Sequence, residues 1–578
     1  MIFLESHGSV SKFKDVIFTT TILLSRIFLR QMFEGVILKL CEFLCTSVFL
    51  NKLSLGPGQV SYFCGLEGVS VGVVMEAEEY RASKHGVFLL PSSIFELKNE
   101  ISVVSICLLG VYRNDGIFDD KELNYFGSFG RILYLTKEKL QMRFSFDYVG
   151  ELTSVFSLLY VPDVFFEHIY FPVRVRCPSF RDRVYVHNSL LTGLPLIDCL
   201  IPLGHGQRVA ILGDFGAGKT TLVLTVFLMQ CIEYRTFKGG LDLYIERKLF
   251  LFSFVPCIYL GINKRAIDLV RMHEFFLSKD IMPFILLLYS RAGCSAVLSS
   301  VSPEIAMGVG EWFREKGYHA ILVFDELYEH AIAYRELSLL LKRSPGREAF
   351  PGDLFATHGR VLERSTVFSR ERSGGSVTTF ALSETRLHDY TSYMPTTLIS
   401  ICDGQIIVDK RITSRVFVVK SISRMGSAVR TRVCISLFRE VYDLFFHLVR
   451  NKVKLAVLEF LPASQALLLI RGKRLMASLD VIPFTIRNTI EMVEQLYGIV
   501  HGLYDSVEVD GIISFLSKLQ QYKQEHLSSF PSFFSHLIKP SNAFLAAFKE
   551  STIKALGGFF SEYLHFCVTK IRNDTTNV

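Results

Sequence analysis

The residues best suited to chemistry lie between Ile211 and Thr221, where the chain reads Ile-Leu-Gly-Asp-Phe-Gly-Ala-Gly-Lys-Thr-Thr. An apolar run here enters a complete GxxxxGK[ST] loop, the spacing that cradles the phosphates of a nucleoside triphosphate. Gly213, Gly216 and Gly218 allow a turn tight enough for successive backbone N–H groups to converge on an anion at a helix N-terminus. Lys219 is spaced to reach the β- and γ-phosphates, and the Thr220 hydroxyl to ligate Mg²⁺. The expected nucleotide contacts therefore run through Gly213, Asp214, Phe215, Gly216, Ala217, Gly218, Lys219, Thr220 and Thr221.

A second constellation follows about a hundred residues later, at Ile321-Leu-Val-Phe-Asp-Glu326. An apolar strand that ends in acids is how a buried sheet sets one carboxylate opposite a phosphate loop, so Asp325 is expected to hold Mg²⁺ through water. Glu326 has two readings, a base that polarises an attacking water or an acid behind the metal shell.

These residues need a scaffold, and the chain has ample material for one. Its 578 residues are too many for a single core and imply three or four domains. Half of the residues are hydrophobic and 50 are Phe, which excludes wholesale disorder. The most apolar stretch, Val16 to Leu50, is interrupted by Arg26, Arg30, Glu34, Lys39 and Glu42, too often for a membrane span. An amphipathic helix that docks on a partner is expected there. A membrane anchor and a cleavable basic leader are the alternatives, the leader favoured by Lys12 and Lys14 and opposed by Glu5 and Asp15. A net charge of +7 is small for this length and gives no reason to expect nucleic acid. The 12 cysteines include no CxxC pair, which points to reduced thiols and not to a zinc site.

Four stretches are expected: a helical extension over 1–50, an antiparallel β domain over 51–130, a nucleotide-binding domain over 131–432 and a helical domain over 433–578. Runs such as Val69-Ser-Val-Gly-Val-Val-Met75 and Val103-Val-Ser-Ile-Cys-Leu-Leu-Gly110, bounded by Gly, Asn and Asp, carry the β reading. Around the phosphate loop, strands at Phe254–Leu260, His319–Phe324 and Val377–Leu382 alternate with helical patterns, which predicts a mainly parallel α/β core. Leu437 to Phe460 reads as a long helix or a pair, and Pro540-Ser-Asn starts another.

The run from Asp325 through Arg343-Ser-Pro-Gly-Arg-Glu-Ala-Phe-Pro-Gly-Asp353 and His358-Gly-Arg-Val-Leu-Glu-Arg364 closely resembles the alpha-type subunit of the F-type rotary ATP synthase. So do Val186-His-Asn-Ser-Leu-Leu-Thr-Gly-Leu-Pro-Leu-Ile-Asp198 and Ile201-Pro-Leu-Gly-His-Gly-Gln-Arg208 before the loop. After it, Ser383 to Gln405 and Ser421-Ile-Ser-Arg-Met-Gly-Ser-Ala428 continue the likeness in the family's order, with a fainter echo at Ser464 to Arg474. The resemblance implies a multidomain α/β protein: a small N-terminal β-barrel, a central RecA-like P-loop domain and a C-terminal helical bundle. It implies ATP or ADP with Mg²⁺ as ligand, Gln207 beside the nucleotide site, and three alpha-type chains alternating with three catalytic beta-type chains around a gamma-type shaft, with a stator at the N-terminus. By the same likeness Arg424 is an arginine finger reaching the neighbour's γ-phosphate, with Ser421, Ser423 and Ser400 at that interface. A guanidinium supplied in trans neutralises charge that develops on the transferred phosphoryl group.

Where a catalytic chain would carry glutamate, the matching strand Cys257 to Arg265 has Asn263 at its polar tip. An amide cannot take a proton from water, so a non-catalytic site is expected. This chain departs from the family at Phe215, Gly216 and Ala217 in the loop, and at Phe445, Phe446 and His447 where an adenine pocket is expected. Its apolar composition suits a fast-evolving mitochondrial version on the matrix side of the inner membrane, with a bacterial plasma membrane or plastid thylakoid as alternatives. The functional alternative is a self-sufficient hexameric P-loop ATPase of the export or RNA-translocase kind, which needs its own water-activating carboxylate on the Cys257 strand.

Overall fold

The computed structural model describes residues 175–238, 255–410, 416–430 and 432–451 without a break. Separate strands from Phe33 to Pro172 precede them, and helical segments reach residue 516 after them. The chain folds into two compact units, each assembled from three stretches. One holds Met1–Cys177, Ile258–Trp312 and Glu326–Arg364, and the other holds Pro178–Cys257, Phe313–Asp325 and Ser365–Val578.

In the first unit the N-terminal strands pair in a ring. Leu44–Phe49 pairs with Phe33–Cys41, which pairs with Ile132–Lys139, then Gln59–Cys64, Gly68–Tyr80 and Ile101–Arg113, and the last returns to Leu44–Phe49. All of these pairings are antiparallel, and closure leaves the six strands with no free edge. Two expectations change here. Phe33–Cys41 and Leu44–Phe49 form a hairpin, not part of a helical extension, because pairing on both sides overrides the helical spacing of a short apolar run. Ile132–Lys139 belongs to the same sheet, so that sheet extends beyond residue 130. Residues 1–32 lie outside the described residues.

The rest of this unit is α/β. Ile285–Arg291 runs parallel to Leu152–Ser154 and neighbours Cys257–Lys264. The near-continuous apolar run Ile285-Leu-Leu-Leu288 is buried throughout, as a parallel strand covered on both faces requires. Helices Ala266–Ser278, Ala296–Glu315, Leu327–Leu340 and Leu354–Leu362 accompany the strands. A buried ion pair ties the end of the last of these to helix Ala296–Glu315. Arg364 grips Glu311 with Nη2 to Oε2 at 2.5 Å and Nε to Oε1 at 3.1 Å, both side chains almost wholly buried. Removing either partner of such a pair costs about 3–5 kcal/mol, because the survivor is left charged and dry.

The second unit carries the phosphate loop. Its sheet runs Ile422–Ser423, Gly404–Val408, Arg208–Gly213, Ser376–Glu384, His319–Asp325. The pairings are parallel except for the short edge strand Ile422–Ser423. Arg208–Gly213 thus lies inside the sheet, between strands that come from far later in the chain, where ligands of open α/β sheets bind at strand ends. Arg208 pins its start, with Nη2 2.6 Å from Asp403 Oδ1. The phosphate-loop helix Lys219–Lys238 follows, with Val223, Val226 and Phe227 fully buried.

Three further helices, Arg432–Arg450, Ala463–Ser478 and Thr489–Val500, pack on one another through Val441, Leu444, Leu475, Leu496 and Ile499. Arg474 holds the following turn by donating to Asp505 and to the Val507 carbonyl. The first of these helices covers the start of the helix or pair expected over Leu437–Phe460; the rest of that stretch from residue 452, and the helix expected after Pro540, lie outside the described residues. Among the described residues no helix is long and apolar enough to cross a membrane.

Candidate functional site

The phosphate loop is a cradle whose glycines are required by geometry. Gly216 and Gly218 have φ of +72° and +102°, the left-handed region that side chains resist. At Gly213 a Cβ would stand 2.5 Å from the Val408 carbonyl oxygen, so the neighbouring strand presses on the loop's first residue. A Cβ at Gly216 would meet nothing within 4 Å, so that face of the loop is open. Ala217 is buried, its N–H donating to the Asp214 carbonyl, whereas Phe215 is 81% exposed at the tip. Lys219 is nearly buried and curls back over the loop, Nζ donating to the Gly213 carbonyl at 2.9 Å and the Asp214 carbonyl at 3.3 Å.

Thr220 and Asp325, 105 residues apart, meet here: the Thr220 hydroxyl donates to Asp325 Oδ2 at 3.3 Å. Asp325 ends its strand and is 1% exposed. A hydroxyl and a buried carboxylate facing each other at the mouth of a phosphate loop are hard oxygen donors of the kind Mg²⁺ takes. Thr221, next in the helix, accepts the Thr225 hydroxyl at its carbonyl.

Asp214 anchors the loop sideways. Its Oδ1 accepts the Thr385 hydroxyl at 2.6 Å and the His388 N–H at 3.1 Å, and its Oδ2 lies 3.3 Å from His388 Nε2. Sequence reasoning missed this bracket, because nothing in the spacing of residues 214, 385 and 388 pairs them.

At the sheet's edge, Arg424 is exposed. Its N–H donates to the Asp403 carbonyl, and its guanidinium to the Ile399 carbonyl at 3.0 Å, in the last turn of helix Tyr393–Ile401, where orphaned carbonyls welcome a cation. The polar residues expected with it have local partners. Ser423 donates to the Pro202 carbonyl at 2.6 Å and accepts from the Gln207 amide at 3.2 Å. Gln207, fully buried, also accepts the Gly204 N–H, so its side chain braces the edge strand. Ser421 donates to the Phe417 carbonyl and accepts the Ile407 N–H, and Ser400 donates within its own helix to Thr396. Ser421 and Ser423 therefore fix the backbone that carries Arg424, whereas the Ser400 hydroxyl serves only its own helix.

In the first unit, Asn263 stands at the end of strand Cys257–Lys264 with φ of +54°, its N–H on Ser290 Oγ. Its amide donates to Glu329 Oε2 at 2.6 Å. Glu329, 66 residues later on helix Leu327–Leu340, thus brings a carboxylate to a strand tip that has none of its own. Glu326 is the cap residue of that helix, without a side-chain cap bond. Beneath lies a buried imidazole pair, His330 Nδ1 2.9 Å from His358 Nε2, with His330 Nε2 on the Ser300 carbonyl. Burial holds His330 down to about 4, and burial with the neighbouring ring holds His358 well below the ordinary range, so both are neutral at pH 7.

Comparison with known proteins agrees with this geometry. The family model of the ATP synthase alpha/beta family, nucleotide-binding domain, matches residues 193–418, from the turn before the phosphate-loop strand almost to the Arg424 edge. The ATP synthase subunit alpha of Neorickettsia sennetsu is 34% identical over 355 residues, covering 60% of this chain and 67% of that one. With a complete phosphate-loop motif, a buried carboxylate brought to its threonine and this extent of likeness, the chain belongs to the ATP synthase alpha/beta family, on the side of the F-type alpha subunits.

Proposed function

We propose that this chain is the non-catalytic nucleotide-binding alpha-type subunit of a proton-driven rotary ATP synthase, which binds Mg-ATP and lends Arg424 to the catalytic site of a neighbouring beta-type subunit. The observation that carries the first half is the meeting of Thr220 and Asp325 at the mouth of the phosphate loop. Mg²⁺ held there would neutralise phosphate charge. Lys219 would leave the Gly213 carbonyl for the β- and γ-phosphates, and the N–H groups from Phe215 to Thr220 would line the anion. The finger role is supported by the exposure of Arg424 at the sheet edge, on a backbone braced by Ser421, Ser423 and Gln207. Family membership implies beta and gamma partners. The three-plus-three alternation, the shaft and stator contacts, and attachment to the membrane through the complex are part of the same reading. The mitochondrial inner membrane rests on composition alone, since the relative described above is bacterial.

Absence of turnover is supported by the family likeness, in which the matching strand carries the amide of Asn263 where a catalytic chain has glutamate. The alternative is a self-sufficient ATPase, which would need a water-activating carboxylate of its own. Purified chain assayed for Mg-ATP binding and hydrolysis separates the two. Binding without turnover, converted to turnover by a beta-type partner, is the expected result. Steady hydrolysis by the chain alone would establish the alternative.

A further inference from the structure

We infer that Glu384 is a specificity-determining residue of the phosphate site, a carboxylate that admits the nucleotide together with its metal and turns the bare polyanion away. The inference rests on the reading that the loop binds Mg-ATP. Glu384 is the last residue of strand Ser376–Glu384. That strand lies between Arg208–Gly213, which feeds the phosphate loop, and His319–Asp325, which ends in a buried carboxylate. Its tip therefore opens into the crevice between the loop and Asp325, where parallel sheets hold their ligands.

Register aims the side chain. Glu384 stands directly opposite Gly213, the first residue of the loop, and the Thr385 N–H beyond it donates to the Gly213 carbonyl at 3.1 Å. Directly opposed residues of neighbouring strands point to the same face of a sheet. A Cβ on Gly213 would come 3.4 Å from the Cβ of Ala217, so Glu384 springs from the face that carries the loop. Burial singles it out as well. Every residue from Ser376 to Ser383 is buried, and so is Thr385, whereas Glu384 between them is half-buried. Among the described residues its carboxylate has no hydrogen-bond or ion-pair partner. The other acids around the loop are occupied: Asp214 accepts the Thr385 hydroxyl, Asp325 accepts the Thr220 hydroxyl and Asp403 holds Arg208.

An acid without a partner is out of place beside an anion cradle. Near a protein surface, two like unit charges about 7 Å apart disfavour binding by roughly tenfold or more, and metal-free ATP meets that repulsion in full. With a hydrated divalent cation in the crevice, the same carboxylate accepts O–H groups from the cation's waters and faces a smaller net charge on the phosphates. Lys219 favours both forms of the nucleotide, since it contacts phosphate directly, so it cannot tell them apart. Glu384 opposes one form and assists the other, and that asymmetry is what discrimination requires.

The test measures ATP binding to the full-length chain by equilibrium dialysis, once with excess Mg²⁺ and once with EDTA. Glu384→Gln removes the charge and keeps the shape, and Glu384→Ala removes both, so the two variants separate charge from packing. In each, affinity for metal-free ATP should rise about tenfold while affinity for Mg-ATP falls about threefold. The opposite signs are the signature, because a merely structural loss weakens both forms alike. Affinities that move together in both variants, or that stay at the parent's values, would overturn the discrimination and leave the nucleotide site standing. A parent chain that binds neither form would overturn the nucleotide reading and this inference with it.

Discussion

The phosphate loop and the Arg424 edge belong to one sheet and use it in opposite ways. Arg208–Gly213 lies between two parallel strands, and its loop is over-determined: Lys219 on two carbonyls, Asp214 held from three sides, Gly213 pressed by Val408. Ile422–Ser423 is a two-residue edge strand, and among the described residues the guanidinium beyond it makes one hydrogen bond, to Ile399. A site that serves its own ligand is finished within the chain. On the reading proposed above, a residue that serves a neighbour's ligand stays exposed until the neighbour arrives, held meanwhile by its backbone and one guanidinium bond.

The sharpest way to break this contrast is Arg424→Ala. Hydrolysis by the assembled complex should fall by about 10³ or more, while Mg-ATP affinity of the chain alone stays unchanged. Near-normal turnover in the complex would remove the finger assignment. Lys219→Ala should do the converse, weakening Mg-ATP binding to the chain by about 2 kcal/mol, roughly thirtyfold, and sparing turnover by the complex far more. Equal losses in both assays would make this chain's own site catalytic. Two glycines sharpen the account of the loop. Gly213→Ala drives a Cβ into the Val408 carbonyl and should lower the melting temperature as well as binding, whereas Gly216→Ala, which meets only its positive φ, should cost about 1 kcal/mol in binding.

Acid should act on neither region first. His330 and His358 are buried neutral, with folded values depressed below the ordinary 6.5, so the unfolded chain binds the extra protons. Their contribution is therefore intact above about pH 6.5 and drains away as pH falls toward the folded value near 4. His205, held down to about 3 by burial and the nearby His319, adds to this in the other unit. Denaturant melts at pH 7 and pH 5 should show the loss. A chain equally stable at both would mean that these rings are not dry.

What was legible in the sequence was local or chemical. The loop and its following helix can be read from consecutive residues, and Asp325 from an apolar run ending in acid. Long-range pairing was harder to read. The hairpin at Phe33–Phe49 looks helical because its strand identity comes from partners at Ile132–Lys139 and Ile101–Arg113. Strand Cys257–Lys264 starts later than the apolar pattern suggests: Pro256 has no N–H to give a ladder, though its carbonyl accepts Ile321. Gln207 and the serines around Arg424 have local bonding duties that follow from where they sit in the sheet. Glu329 at Asn263 and His388 at Asp214 join residues far apart in sequence whose types alone do not pair them.

The interleaving of the two units sets a schedule for biosynthesis. Each unit needs chain from both sides of the other: the first is incomplete before Arg364 and the second before the stretch that begins at Ser365. At about 5–20 residues per second, a ribosome takes roughly 20–70 s to travel from residue 1 to residue 364. For that time Arg208–Gly213 waits for Ser376–Glu384 and Gly404–Val408, which are not yet made, whereas the N-terminal ring finds its partners within residues 33–139. A nascent chain this rich in Phe would lean on chaperones throughout, and a gene cut anywhere between the two halves of the interleave would yield two fragments, neither encoding a complete unit.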